Sequence, residues 1–266
     1  MRIKNRGEPQ KSISSNMKKR GQVTMFVIFA IIILALAVAI FYFYPQIKSA
    51  ITGETVNPSS YLQGCIEEDL NSVLETVSVQ GGSSNPEHYL LYQNQKLEYL
   101  CYTNEYYKTC VMQQPLLKRH IEQEVTKSLS TKANECLASL EQIYKKSGYE
   151  VDIKKGEISL ELLPKRAVLY FNSTLTLKKE NSQRYTDLRV SVTNNLYELV
   201  SIANSILNFE TTYGDSETTI YMNYYHDLKV EKIKQEEGSK VYILTDRNNG
   251  NKFQFATRSI AWPPAI

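Results

Sequence analysis

Hydrophobic and polar positions follow three rules along this chain, and each rule predicts a different kind of element. The first is an unbroken run. Residues 25–44 are apolar or aromatic without exception, and no charge occurs between Arg20 and Lys48. These 20 residues, at about 1.5 Å each, cover roughly 30 Å as a helix, the hydrocarbon thickness of a bilayer. A buried helix of a soluble domain carries polar residues on one side; this one has none. The pattern predicts a membrane-spanning anchor over residues 22–44. Phe41, Tyr42, Phe43 and Tyr44 close it with the aromatic belt of a membrane interface,. They are too bulky for the cut that ends an ordinary secretory signal.

The second rule is helical spacing. Ser60 and Gln63 fit a capping box, and Leu62, Ile66, Leu70, Val73 and Val77 follow on one stripe that includes Cys65,. Pro115 opens a longer helix to about residue 146, with Leu117, Ile121, Val125, Leu129, Ala133, Cys136, Leu140 and Tyr144 on one face. A third helix over residues 196–209 turns Leu196, Leu199, Val200, Ala203, Ile206 and Leu207 inward.

The third rule is alternation, which predicts strands. Residues 89–92 and 96–102 flank a turn at 93–95, and a further piece covers 106–111. After residue 149 come Val151 and Ile153, then Ile158, Leu160 and Leu162. One long strand over 168–177 shows Leu169, Phe171, Leu175 and Leu177 on one face, and Leu188, Val190 and Val192 follow. Residues 216–226 fit neither rule. Strands at 228–233, 241–245 and 252–257 end the chain, the last two joined by a hairpin loop. Helices and strands come in blocks, so the fold class is α+β, an N-terminal transmembrane helix followed by helices packed on antiparallel sheet. The domain plan is a basic leader at 1–21, the anchor at 22–44, a linker at 45–59, an α+β domain at 60–260 with a subdivision point near 148, and a tail at 261–266.

Charge adds topology to this plan. The whole chain carries +3. Residues 1–21 hold seven basic groups against Glu8, a net +6, which leaves 24 basic and 27 acidic groups beyond them, a net −3. Basic residues beside a span stay on the cytoplasmic side. The leader is therefore inside and the acidic domain outside. The same split removes the case for nucleic acid, because the basic excess is confined to the leader.

An external domain makes its four cysteines candidates for two disulfides,. Three pairings are possible. Cys101 and Cys110 flank one tight turn, while Cys65 and Cys136 lie on the stripes of two helices and would join them face to face. In the chain-entropy model a closed loop of some 70 residues contributes roughly 4 kcal/mol and one of about ten roughly 2–3. Asn172-Ser173-Thr174 fits the N-glycosylation pattern,. No metal site is expected, since there is no CxxC and His88, His120 and His226 are dispersed,. No enzyme signature occurs: GxSxG, a phosphate loop, HExxH and GxGxxG are all missing. No cofactor is expected. Tyrosine is abundant, 19 against 8 Phe and 1 Trp. Tyr89, Tyr92, Tyr99, Tyr102, Tyr106 and Tyr107, with Tyr221, Tyr224 and Tyr225, would form a recognition patch if several shared an exposed face.

Lys18-Lys19-Arg20, then Gly21-Gln22, then the apolar helix resembles the class III signal of archaeal type IV pilins and pilin-like proteins. The resemblance implies a cut by a prepilin-type signal peptidase between Gly21 and Gln22. Gln22 and Thr24 match the family pattern, and Phe26 stands where the family has Glu. That acid pairs with a neighbouring amine in assembled pili, so the resemblance implies anchoring and leaves polymerisation open. Cys65-Ile66-Glu67, Gln80-Gly81-Gly82, Glu135-Cys136-Leu137 and Phe253-Gln254-Phe255-Ala256 resemble membrane-anchored surface proteins of DPANN-type archaea. The expectation is a single-pass, non-catalytic cell-surface protein with a surface-protein or host-cell partner. A membrane-tethered enzyme or solute-binding protein is the alternative.

Overall fold

The helix of residues Pro58–Val79 (α1) starts earlier than the capping box predicts. Asn57 is its N-cap, and its Oδ1 accepts from the Ser59 and Ser60 amides at 3.0 and 3.2 Å, while Pro58 sits where no amide hydrogen is needed. Gln63, predicted to close the box, instead braces a distant strand: its amide bonds both the carbonyl and the N–H of Ser191, at 3.1 and 3.2 Å. The linker predicted at 45–59 therefore gives way to the domain at 56, one boundary that the contacts also place between 55 and 56.

The computed structural model describes residues 28, 30–34 and 56–261. Residues 1–55 and 56–266 form separate compact units. In the first, residues 28 and 30–34 are helical and exposed. The rest of the predicted span, Gly21, Gln22 and the tail beyond Ala261 lie outside the described residues. Among the described residues no helix is long and apolar enough to cross a membrane.

In the second unit the long helix Leu117–Lys146 (α2) packs along α1. All eight residues of its predicted stripe are buried, and Leu137 joins them. In α1 the fully buried residue after Leu70 is Leu74, with Val73 half-buried. Between the helices, Gly81 and Gly82 reverse the chain at φ +86° and +111°. A Cβ on Gly81 would sit 2.8 Å from the Glu98 Cβ, so glycine is required there by both conformation and space.

Strands Tyr89–Tyr92 (β1) and Gln95–Tyr102 (β2) form a two-residue hairpin. Gln93 and Asn94 both have positive φ, 48° and 65°, the twist that suits such a hairpin. The piece predicted at 106–111 shrinks to Val111–Met112 (β3). The last three strands are Leu228–Lys234 (β10), Ser239–Asp246 (β11) and Lys252–Arg258 (β12). They join β2 in a six-stranded sheet of order β1-β2-β12-β11-β10, with β3 beside β2. This sheet is mixed, not antiparallel throughout, because β12 runs parallel to β2. No short loop links those two strands, so nothing imposes the antiparallel sense of a hairpin.

The middle of the chain makes two three-stranded sheets where one meander was expected. Glu150–Lys154 (β4), Thr174–Lys178 (β7) and Ser182–Tyr185 (β8) form one, in the order β4-β7-β8; Ser159–Leu163 (β5), Arg166–Tyr170 (β6) and Arg189–Thr193 (β9) form the other, in the order β5-β6-β9. The strand predicted over 168–177 is therefore two strands in different sheets. Asn172 breaks it with φ 33°. Leu169, Phe171, Leu175 and Leu177 are all buried on either side.

Helix Leu196–Tyr213 (α3) ends at Gly214, φ 77°, and the undecided stretch contains a short helix, Thr219–Tyr224 (α4). One hydrophobic core runs from Leu62 on α1 to Phe255 on β12 and includes the inner residues of both small sheets. By its contacts, residues 56–266 form one unit. The unit is α+β, with α1 and α3 laid on the large sheet.

Candidate functional site

The cysteines pair as Cys65–Cys136 and Cys101–Cys110, with Cα–Cα distances of 6.0 and 5.3 Å, and none is free. The first clamps α1 to α2 where their stripes meet. The second pins the loop before β3 to the interior of the large sheet. Asn172 is exposed in the break between β6 and β7, not in mid-strand. Its side-chain N–H₂ donates to Ser159 Oγ at 3.2 Å, while the Ser173 side chain is buried and donates to the Phe171 carbonyl.

The tyrosines scatter. Tyr99 and Tyr102 stack with His88 at 4.9 and 4.3 Å, on the side of the large sheet away from the main core. Tyr106, Tyr107, Tyr224 and Tyr225 are exposed, and Tyr221 is buried. The nine tyrosines therefore do not all stand on one exposed face.

Two polar clusters that no motif announced lie inside the domain. In one, Glu210 on α3 is fully buried and Lys240 on β11 nearly so. Lys240 Nζ donates to Glu210 Oε2 at 2.8 Å, to the Gly214 carbonyl at 2.6 Å and to Asp215 Oδ1 at 3.3 Å. Tyr242 donates its hydroxyl to the other Glu210 oxygen. Lys232 holds both Asp215 oxygens at 3.0 and 3.1 Å. Burial raises the Glu210 carboxyl above its ordinary value, against the pull of Lys240 and Tyr242, and burial together with Glu210 raises the Tyr242 phenol. At Asp215 burial pushes upward but is outweighed by the Lys232 bond and the Lys240 charge, so its carboxyl is held low. Every donor of Lys240 has an acceptor, the condition under which a buried charge is tolerated. A cavity of about 500 Å³ opens beside it, yet its buried cation is already paired.

In the other cluster Ser83 Oγ lies 2.5 Å from Glu98 Oε2 and 2.8 Å from His120 Nε2. The residue types are those of a hydrolytic triad, but the connectivity is not. In a triad the acid holds the far ring nitrogen; here Glu98 and Ser83 face the same Nε2, with the acid 3.9 Å away. Since Ser83 gives its single proton to Glu98, His120 Nε2 must donate to Ser83. Gln114 completes Glu98 at 3.1 Å. This cluster ties α2 to the double-glycine turn and β2, and it opens into none of the cavities described here.

The third polar region is an open cleft of about 540 Å³ between the end of α1, the start of β2, the β9–α3 connection and the β11–β12 hairpin. Leu74, Leu196 and Leu199 close its floor. Its walls carry the amides of Asn71, Gln95, Asn194, Asn249 and Gln254. Among the described residues the side chains of Asn71, Gln95 and Gln254 have no protein partner, whereas Asn194 and Asn249 each use only Oδ1, for the amides of Leu196 and Asn251. Glu75 and Lys252 contribute one charge of each sign. The walls are tied to one another. Asn195 donates to Asp246 at 2.5 Å and accepts from Asn251 at 2.8 Å, which ties the hairpin to the start of α3. Ser78 donates to the Lys252 carbonyl and ties the hairpin to α1.

None of the protein-family models, curated proteins or solved structures compared with the chain matches it. The cleft residues were invisible to motif reading because they come from four segments between Asn71 and Gln254. One missed residue had a signal: Glu210 continues the inner stripe of Ala203, Ile206 and Leu207, and an acid on such a stripe calls for a buried partner,.

Proposed function

We propose that the chain is a single-pass membrane-anchored surface protein. Residues 56–261 form an extracellular interaction domain acting in adhesion, surface contact or envelope assembly, without catalysis. The observation that carries this reading is the closure of all four cysteines into two disulfides. Such bonds persist in oxidising surroundings. They sit in a net-acidic domain that follows a basic leader and an uncharged apolar run, the arrangement of an N-terminus held inside and a domain outside. The pilin-like resemblance adds a prepilin-type signal peptidase as the processing partner, cutting between Gly21 and Gln22. Exposed Asn172 is a glycosylation acceptor in that setting,.

The cleft supports binding over turnover. Primary amides neither gain nor lose protons near neutral pH, so its walls offer recognition rather than acid–base chemistry. This same cleft is what favours the second reading, a membrane-tethered solute-binding protein.

Labelling intact cells with a membrane-impermeant lysine reagent tests the topology. The exposed lysines between 96 and 252 are expected to react, while buried Lys240 and Lys4, Lys11, Lys18 and Lys19 do not. Labelling only after permeabilisation would overturn the reading. N-terminal sequencing of the native protein tests the processing. A mature chain starting at Gln22 is expected, and one starting near Met1 would remove the pilin-like part.

A further inference from the structure

We infer that the cleft between α1 and the β11–β12 hairpin binds neutral oligosaccharides. The inference deepens the surface-interaction reading by naming its partner class. It rests on that reading for its biological setting only.

The chemistry of the walls selects the ligand. A primary amide presents two donors and an acceptor in one plane. A sugar edge presents hydroxyls that each donate and accept, so an amide can serve neighbouring hydroxyls in both senses. Asn71, Gln95 and Gln254 bring this capacity unspent, and Asn194 and Asn249 add free N–H₂ groups. The apolar floor of Leu74, Leu196 and Leu199 suits the C–H face of a pyranose ring.

The alternatives fit less well. An anionic ligand needs a surplus of cations, and the cleft has Lys252 against Glu75. A wholly apolar ligand would strip water from several amides and return no hydrogen bonds, a loss that discriminates strongly against it. An extended peptide needs pockets for alternate side chains or a free strand edge. Here β12 is paired by β11 along its length and by β2 from Ala256 on, and at the cleft its Lys252 carbonyl already accepts from Ser78.

The geometry is also built in advance. The Asp246–Asn195–Asn251 chain and the Ser78–Lys252 bond tie the walls to one another, partly through lining residues. A site whose walls are already ordered loses less freedom on binding. Among the described residues no aromatic ring lines the cleft, so the affinity of one site is modest, on the order of 0.1–1 mM. Many copies on a surface would raise it by multivalency.

The test uses the full-length protein in a detergent without a sugar headgroup, titrated with maltohexaose, cellohexaose and mannohexaose. A polyglucuronate oligomer and a glycine-rich hexapeptide serve as comparison ligands. Saturable binding of at least one neutral hexasaccharide is expected. It weakens about tenfold in Asn71→Ala and again in Asn71→Ala/Gln254→Ala. Among the described residues neither side chain has a protein partner, so both variants keep the thermal midpoint of the parent. Three results would each overturn the inference: no hexasaccharide bound at 10 mM (roughly tenfold above the weakest expected Kd), binding that survives the double substitution, or tighter binding of the uronate or the peptide. Failure here leaves the cell-labelling result untouched, and a failed labelling result leaves sugar binding untouched, so the two readings fall separately.

Discussion

The buried ionic cluster and the amide cleft are both polar, both draw on α3 or its flanks together with β11 or the hairpin that follows it, and are built for opposite ends. At Glu210, Lys240 and Tyr242 every strong donor has its acceptor and water is excluded. Nothing is left over for a ligand, and a change to one member strands another in a medium that cannot solvate it. In the cleft the amides face solvent, and three of them have no partner among the described residues. Among the described residues nothing in the fold is hydrogen-bonded to the side chains of those three. The contrast gives a rule for reading polar groups: satisfied and dry means architecture, unsatisfied and wet means a surface waiting for something.

The largest expected break in this contrast is Lys240→Met. It leaves Glu210 buried without its cation and should cost roughly 3–5 kcal/mol in urea unfolding. Adding Glu210→Leu should recover much of the loss, because an apolar pair removes the stranded charge. If the two losses simply add, the cluster is not the coupled unit described here.

Next come the disulfides. In the chain-entropy model, replacing Cys65 and Cys136 with alanine, at a separation of 71, should cost roughly 4 kcal/mol. Replacing Cys101 and Cys110, at a separation of 9, should cost roughly 2.5 kcal/mol. Denaturant midpoints of the two pairs, measured side by side, check the order.

The pH dependence sharpens the comparison further. Asp215 has a lowered folded pKa, so its share of stability is present above its ordinary value of 3.8 and lost as pH falls through the lowered one,. Glu210 has a raised folded pKa and opposes this: its share is present below its ordinary value of 4.5 and lost as pH rises through the raised one,. On the alkaline side, burial pushes Tyr144 up to about 12 from 10.0, so stability present below pH 10.0 is lost as pH rises toward about 12,. Unfolding measured against pH should show a smaller acid-side fall in Asp215→Asn and a smaller alkaline fall in Tyr144→Phe, with Glu124, Tyr99 and Tyr242 keeping part of each. The smallest expected effect belongs to the cleft, where Asn71→Ala/Gln254→Ala should move stability by less than about 0.5 kcal/mol.

The ease of reading this chain followed the range of the interactions. The α2 stripe was legible residue by residue because a 3.6 period is local, and both helix-borne cysteines sat on their stripes. The break at Asn172 was not legible, since Leu169, Phe171, Leu175 and Leu177 keep one alternation straight through it. The Asn57 cap was hidden by a better-looking box at Ser60, whose Gln63 was committed to Ser191, 128 positions away. The parallel β2–β12 pair was hidden for the same reason, as no local signal joins strands so far apart. For the cleft, each amide alone reads as solvated surface, and only the fold places Asn71, Gln95 and Gln254 around one space.

The most direct measurement of the contrast is the NMR behaviour of the side-chain N–H₂ groups in the full-length protein. Those of Asn71, Gln95 and Gln254 are predicted to exchange with water as free amides and to shift on addition of the bound hexasaccharide. That of Asn195, which donates within the brace and is not part of the cleft lining, is predicted to be slowed and unmoved. A protected, unresponsive Asn71, Gln95 and Gln254 would show that these amides belong to the architecture, and would contradict the account.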